Sequence, residues 1–102
     1  MIIAVDFDGT LAETDYPNII APKQTVIDYC IRHQMAGDVI TLNTCRHGKP
    51  LEDAIEWCAK QGLIFDYINE NIPERIAIWG ECRKIYADVY IDDHNKLISE
   101  LD

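Results

Sequence analysis

The chain opens on an unbroken apolar run, Ile2-Ile3-Ala4-Val5, closed by Asp6. Apolar residues without alternation mark a strand buried on both faces, the middle strand of a parallel sheet. Residues 11–22 mix polar positions with Pro17, Asn18 and Pro22, which predicts a loop or a hairpin flap. Over 23–35, Val26, Ile27, Cys30 and Ile31 recur at helical spacing, and Gly37 supplies the stop. A second strand is expected over 38–43. A second helix should start near Pro50 and run to Gln61, with Leu51, Ala54, Ile55, Trp57 and Cys58 in its stripe and Gly62 at its end. A third strand over 64–68, a helical segment after Pro73 with Ile76 and Trp79 inward, and a fourth strand over 87–91 complete the pattern. Residues 95–102 are too few for another β-α unit.

Strands alternating with helices predict an α/β fold on a parallel sheet with right-handed crossovers. The expected architecture is a three-layer α/β/α, Rossmann-like sheet of about four strands in the order 3-2-1-4. Residues 1–102 read as one domain without internal repeats.

Composition narrows the function classes. The formal net charge is −9, with 18 acidic residues against nine basic ones. That balance argues against nucleic-acid backbones and anionic membrane surfaces, both of which need clustered Lys and Arg. No apolar run approaches the roughly 20 residues that span a bilayer, and the N-terminus lacks a basic region and cleavage site of signal type. Cys30, Cys45, Cys58 and Cys82 form no C-x-x-C pair, which points to free thiols in a reducing cytoplasm. Cys30 and Cys58 sit at core positions of the two helices, while Cys45 neighbours a candidate site residue.

The chemistry gathers at the carboxyl ends of the strands, where parallel sheets carry their ligand sites. Those ends hold Asp6 and Asp8, then Asn43 to Arg46, then Asn69 to Asn71, then Asp92 and Asp93. Carboxylates this close repel and resist desolvation, so a cation between them is expected.

With these residues in place, the chain resembles the haloacid dehalogenase-like phosphatases over nearly its whole length. The D-x-D-G-T motif stands as Asp6-Phe7-Asp8-Gly9-Thr10, and the Thr that ends the next strand as Thr44. The lysine ahead of the last strand is best matched by Lys84, with Arg83 adjacent and Lys96 further off. The terminal acidic pair is Asp92-Asp93. The resemblance implies Asp6 as nucleophile, forming an aspartyl-phosphate, and Asp8 as proton donor to the leaving alcohol and acceptor from water. It implies Mg²⁺ held by the Asp6 carboxylate, the Asp8 carbonyl and Asp92 or Asp93, with Asp92 favoured as the direct ligand. Thr44, through its hydroxyl and backbone N–H, Lys84, the Gly9 N–H and Thr10 would bind the phosphoryl group. Arg46 would reach phosphate or leaving group, or serve a surface role.

Neither the interval from Thr10 to Thr44 nor that from Ile68 to Lys84 is long enough for a cap domain. The expected protein is therefore a capless Mg²⁺-dependent phosphatase acting on a small phosphorylated substrate. Water exclusion would fall to the flap at 11–22, a partner subunit or the substrate. An exposed sheet edge leaves room for a homo-oligomer. Two other classes stay open: a non-catalytic metal- or phosphate-binding protein, and a receiver-like signalling domain. Receivers carry their acceptor Asp after a middle strand, where this chain has Asn43-Thr44 and Asn69-Glu70. Bland roles compete for His33 and His47 as solvated histidines, for His94 as a loop residue, and for Asn69 and Asn71 as turn formers.

Overall fold

Ile2–Val5 form β1 with a parallel neighbour on each side and all four side chains buried, since each face of the sheet is covered by its own cluster. β4 (Val39–Leu42) pairs with it in the register Ile3↔Ile40 and Val5↔Leu42. β6 (Val89–Ile91) pairs on the other side, Val5 opposite Ile91. β5 (Tyr67–Ile68) adds outside β4, so the sheet runs β5-β4-β1-β6. This computed structural model describes residues 1–69 and 87–92. The helical segment expected after Pro73, with Ile76 and Trp79, lies outside the described residues, as do Cys82 and the tail.

The pleat divides the buried side chains between two faces. Ile3, Val5, Ile40, Leu42 and Ile91 share one cluster with Val26, Ile27 and Cys30 of α1 (Gln24–Met35) and Ala54 and Cys58 of α2 (Gly48–Lys60). Both helices therefore pack on that face, as two crossovers stepping the same way along a parallel sheet require when they share one hand. Ile2, Ala4 and Ala87 form a second cluster with Val39 and Tyr90. Burial pushes the thiols of Cys30 and Cys58 up to about 12, so both are inert core residues, as expected.

Residues 12–22 resolve into a hairpin rather than a loop. β2 (Ala12–Asp15) and β3 (Asn18–Pro22) pair antiparallel, with an irregularity between Glu13 and Thr14. Between Thr10 and Thr44 the chain forms this hairpin, α1 and β4, and among the described residues nothing folds as a separate cap.

Several boundaries move for identifiable reasons. α2 begins at Gly48, ahead of the expected Pro50, and keeps Pro50 in its first turn, where a missing N–H is no loss. β5 starts late although the Asp66 N–H already bonds the Ile40 carbonyl at 2.8 Å, because side chains take the neighbouring places in the ladder. Gln34 donates to the Ile64 carbonyl at 2.6 Å, and Asp66 accepts the Ile40 N–H at 2.8 Å. β6 loses its first two expected residues similarly: the Asp88 carboxylate accepts the Ile2 N–H at 2.7 Å and the Ala87 N–H donates to the Tyr90 hydroxyl at 3.0 Å. His33, expected as a solvated residue, lies 2.8 Å from Asp38, which also accepts from the N-terminal ammonium at 2.9 Å. No helix among the described residues is long and apolar enough to cross a membrane.

Candidate functional site

Asp6 and Asp8 leave β1 at the carboxyl edge of the sheet. The Asp6 N–H donates to the Ile91 carbonyl at 3.0 Å, which carries the β1–β6 ladder one residue past β1. Asp92 follows Ile91 directly, so the two acids leave neighbouring parallel strands side by side. Both are half-buried. Between the two aspartates of the first motif, Phe7 points inward. It is fully buried and meets Trp57 edge-on at 5.8 Å. Trp57 thus packs, as expected.

The turn after Asp8 is built on the Phe7 carbonyl, which accepts the N–H groups of Thr10 and Leu11 at 3.1 and 3.0 Å. Gly9 has φ 78°, where an L side chain is strained, and its N–H donates to the Ala12 carbonyl at 2.9 Å. Thr10 is 1% exposed, and its buried hydroxyl has no hydrogen-bond partner among the described residues. In this conformation the N–H groups of Gly9 and Thr10, both expected at the phosphoryl group, bond within the turn, and the Thr10 side chain is buried.

Thr44 sits past β4 at the same edge, half-buried. Its N–H, expected on a phosphoryl oxygen, instead donates to Asn69 Oδ1 at 2.7 Å. Its Oγ1 accepts the Arg46 N–H at 3.1 Å, which leaves the hydroxyl proton to be given elsewhere. Asn69 itself has φ 53° and ends β5. Its two readings, turn former and site residue, meet here: it turns the chain and orients Thr44.

The larger departure from expectation is Arg46. Its side chain is 1% exposed and spends its donors inside the protein. Nε donates to Asp8 Oδ2 at 2.9 Å and Nη2 to Asp8 Oδ1 at 2.7 Å. Nη1 donates to the carbonyls of Pro17 and Pro50, each at 3.2 Å. The guanidinium carbon lies over the rings of Phe7 and Tyr16, 4.8 and 5.1 Å from their centroids. Thr14 of the hairpin donates its hydroxyl to Asp8 Oδ1 at 2.8 Å. Arg46, then Thr14, hold the Asp8 carboxyl below the usual carboxylate range, against the opposing effect of burial. Asp8 in turn raises the Arg46 pKa further. Thr14 carries no signal of this role in the sequence, since only the hairpin brings it back over Asp8.

Asp6 and Asp92 bring carboxylates, the ligand type of a hard cation, to neighbouring strand ends, with Asp6 Oδ1 accepting the Phe7 N–H at 2.8 Å, whereas both carboxylate oxygens of Asp8 bond Arg46. Among the described residues no third His, Cys, Asp or Glu joins them in a metal-holding group. Lys84 and Asp93, the remaining expected site residues, lie outside the described residues, as do Glu70, Asn71 and His94. His47 is the exposed N-cap of α2, and Cys45 is an exposed free thiol beside Thr44.

Fold and site together define a small parallel α/β domain with an acidic, hydroxyl-bearing carboxyl edge. The chain is similar to a solved structure from Bacteroides thetaiotaomicron, described as the conserved protein coded by a locus of that organism. The two are 40% identical, with a TM-score of 0.81 over 93% of this chain and 77% of that one. At that identity and coverage this chain belongs to the same family as the Bacteroides protein, whose description names no activity. No family model and no curated relative matches the chain.

Proposed function

We propose that this protein is a capless haloacid dehalogenase-like phosphatase that hydrolyses phosphate monoesters of small molecules with Mg²⁺. The observation that carries this reading is the meeting of Asp6, Asp8, Thr44 and Asp92 at one sheet edge, from strands far apart in sequence. The finer architecture belongs to the same reading: strand order 3-2-1-4 in a three-layer α/β/α, Rossmann-like domain.

Asp6 attacks phosphorus through a carboxylate oxygen. An O–P bond forms as the bond to the leaving alcohol breaks, giving an aspartyl-phosphate. Asp8 gives its carboxyl proton to the departing oxygen and, as carboxylate, later takes one from the water that cleaves the aspartyl-phosphate. The Arg46 clamp favours the ionised form that the second step needs. An arriving phosphate dianion works the other way, because a neighbouring negative charge disfavours the carboxylate.

Thr44 directs its hydroxyl proton to a phosphoryl oxygen, and Lys84 balances the charge on Asp6 and the phosphoryl group. Asp6, the Asp8 carbonyl and Asp92 or Asp93 would hold Mg²⁺, which when bound would screen the two anions that must meet. Without a cap, the hairpin at 12–22, a second copy of the chain or the substrate itself keeps water out. The acidic balance disfavours nucleic acid as substrate, and the free thiols of Cys30, Cys45 and Cys58 fit a cytoplasmic location.

Mg²⁺-dependent turnover of p-nitrophenyl phosphate, lost in Asp6→Asn, tests the proposal. A wild-type protein that turns over no member of a broad phosphoester panel with Mg²⁺ present would overturn it.

A further inference from the structure

We propose that Arg46 is a positioning residue that acts on the reaction through Asp8 and does not touch the phosphoryl group. This inference rests on the phosphatase reading above and adds to it a role for a side chain the motifs do not contain.

A charged group that is 1% exposed is costly to bury unless its donors are met, and four contacts meet four of the five N–H donors of Arg46. Two of the four form a bidentate fork on Asp8, the geometry that fixes a carboxylate in plane as well as in place. The other two reach Pro17 in the turn between β2 and β3, and Pro50 in the first turn of α2. One guanidinium therefore joins the proton-transferring residue, the flap over it and the helix that follows Thr44. The rings of Phe7 and Tyr16 both lie against it. Lysine has a single ammonium and cannot make this fork. The Asp8 side chain remains 34% exposed, and Oδ2, which accepts from Arg46 Nε alone, keeps a lone pair beyond the bonds made by Arg46 and Thr14.

If Arg46 acts by aiming Asp8, its loss should be felt where protonation of the leaving oxygen matters. Alkyl phosphates leave as strongly basic alkoxides and need that proton, whereas p-nitrophenolate leaves without help. The experiment compares wild type, Arg46→Met, Asp8→Asn and the double variant on an alkyl phosphate and on p-nitrophenyl phosphate, with Mg²⁺. Read as kcat/KM, which reports only the steps up to departure of the alcohol and leaves out the shared hydrolysis of the aspartyl-phosphate, Arg46→Met should lose about a hundredfold on the alkyl ester, within the range of general acid catalysis, and far less on the aryl ester. Asp8→Asn should show the same selectivity, and the double variant should be no worse than Asp8→Asn alone.

Equal losses on both esters, or losses that multiply in the double variant, would show a general structural role and overturn the inference while the phosphatase reading stands. Wild type inactive on both esters would remove the phosphatase reading itself. Should Arg46→Met fail to fold, Arg46→Lys keeps the charge without the fork. It should show the same ester selectivity at smaller amplitude, and an unselective loss counts against the proposal.

Discussion

Asn69 Oδ1 accepts the Thr44 N–H at 2.7 Å, so a residue at the end of β5 holds the hydroxyl-bearing loop that follows β4. Asn69 does this from φ 53°, a conformation that costs most L residues about 1 kcal/mol and asparagine less. Asn69→Ala should lose both the bond and the conformational tolerance, about 2 kcal/mol in all. Asn69→Gly keeps the tolerance and should lose about 1 kcal/mol. Urea midpoints measure the difference, and equal midpoints would mean that backbone strain plays no part here.

Phe7 supports the site from beneath. Fully buried between Asp6 and Asp8, it contacts Trp57 edge-on and lies under the Arg46 guanidinium. Phe7→Ala should cost about 3 to 5 kcal/mol, the usual penalty for deleting a buried ring. It should also alter tryptophan fluorescence in the folded state. A loss under about 1 kcal/mol would show that neighbouring side chains refill the space.

Asp38 makes a pH-dependent contribution at the opposite end of the sheet. The N-terminal ammonium, then His33, hold its carboxyl below the usual carboxylate range. A depressed folded value stabilises the protein above the unfolded one, about 3.9 for aspartate, and that contribution is lost as pH falls through the folded value. Asp38→Asn should therefore lower Tm at neutral pH and flatten the fall of Tm below about pH 4. Parallel Tm–pH curves for the two proteins would rule this contribution out.

Thiol labelling distinguishes core from edge. Cys45 is exposed, whereas Cys30 and Cys58 are buried with their thiols pushed up to about 12. Under native conditions iodoacetamide should modify Cys45 and spare Cys30 and Cys58, which should react once the protein is unfolded. Peptide mass spectrometry reads each position. Native labelling of Cys30 at the rate of Cys45 would contradict the packing of α1.

The alternation of apolar runs with helical stripes already implied four parallel strands and the two helices now described, and it put Asp6, Asp8, Thr44 and Asp92 at strand ends. Periodicity suffices for this, because a doubly buried strand and an amphipathic helix differ in local pattern wherever the chain folds. The hairpin was legible only as one of two alternatives, since its prolines and asparagine mark a turn without saying whether the flanks pair.

The partners of polar side chains were decided at long range. Nothing near Arg46 in the chain says that its guanidinium turns inward to Asp8, with a hairpin carbonyl and a helix carbonyl completing its bonds. Nor does the Thr44 loop announce that Asn69 takes its N–H. Strand lengths were decided the same way, by Asp66, Asp88 and Gln34 bonding across the sheet edge. Hydrophobic pattern is a property of the local chain, whereas satisfying a buried donor is a condition on whatever the fold brings within 3 Å of it.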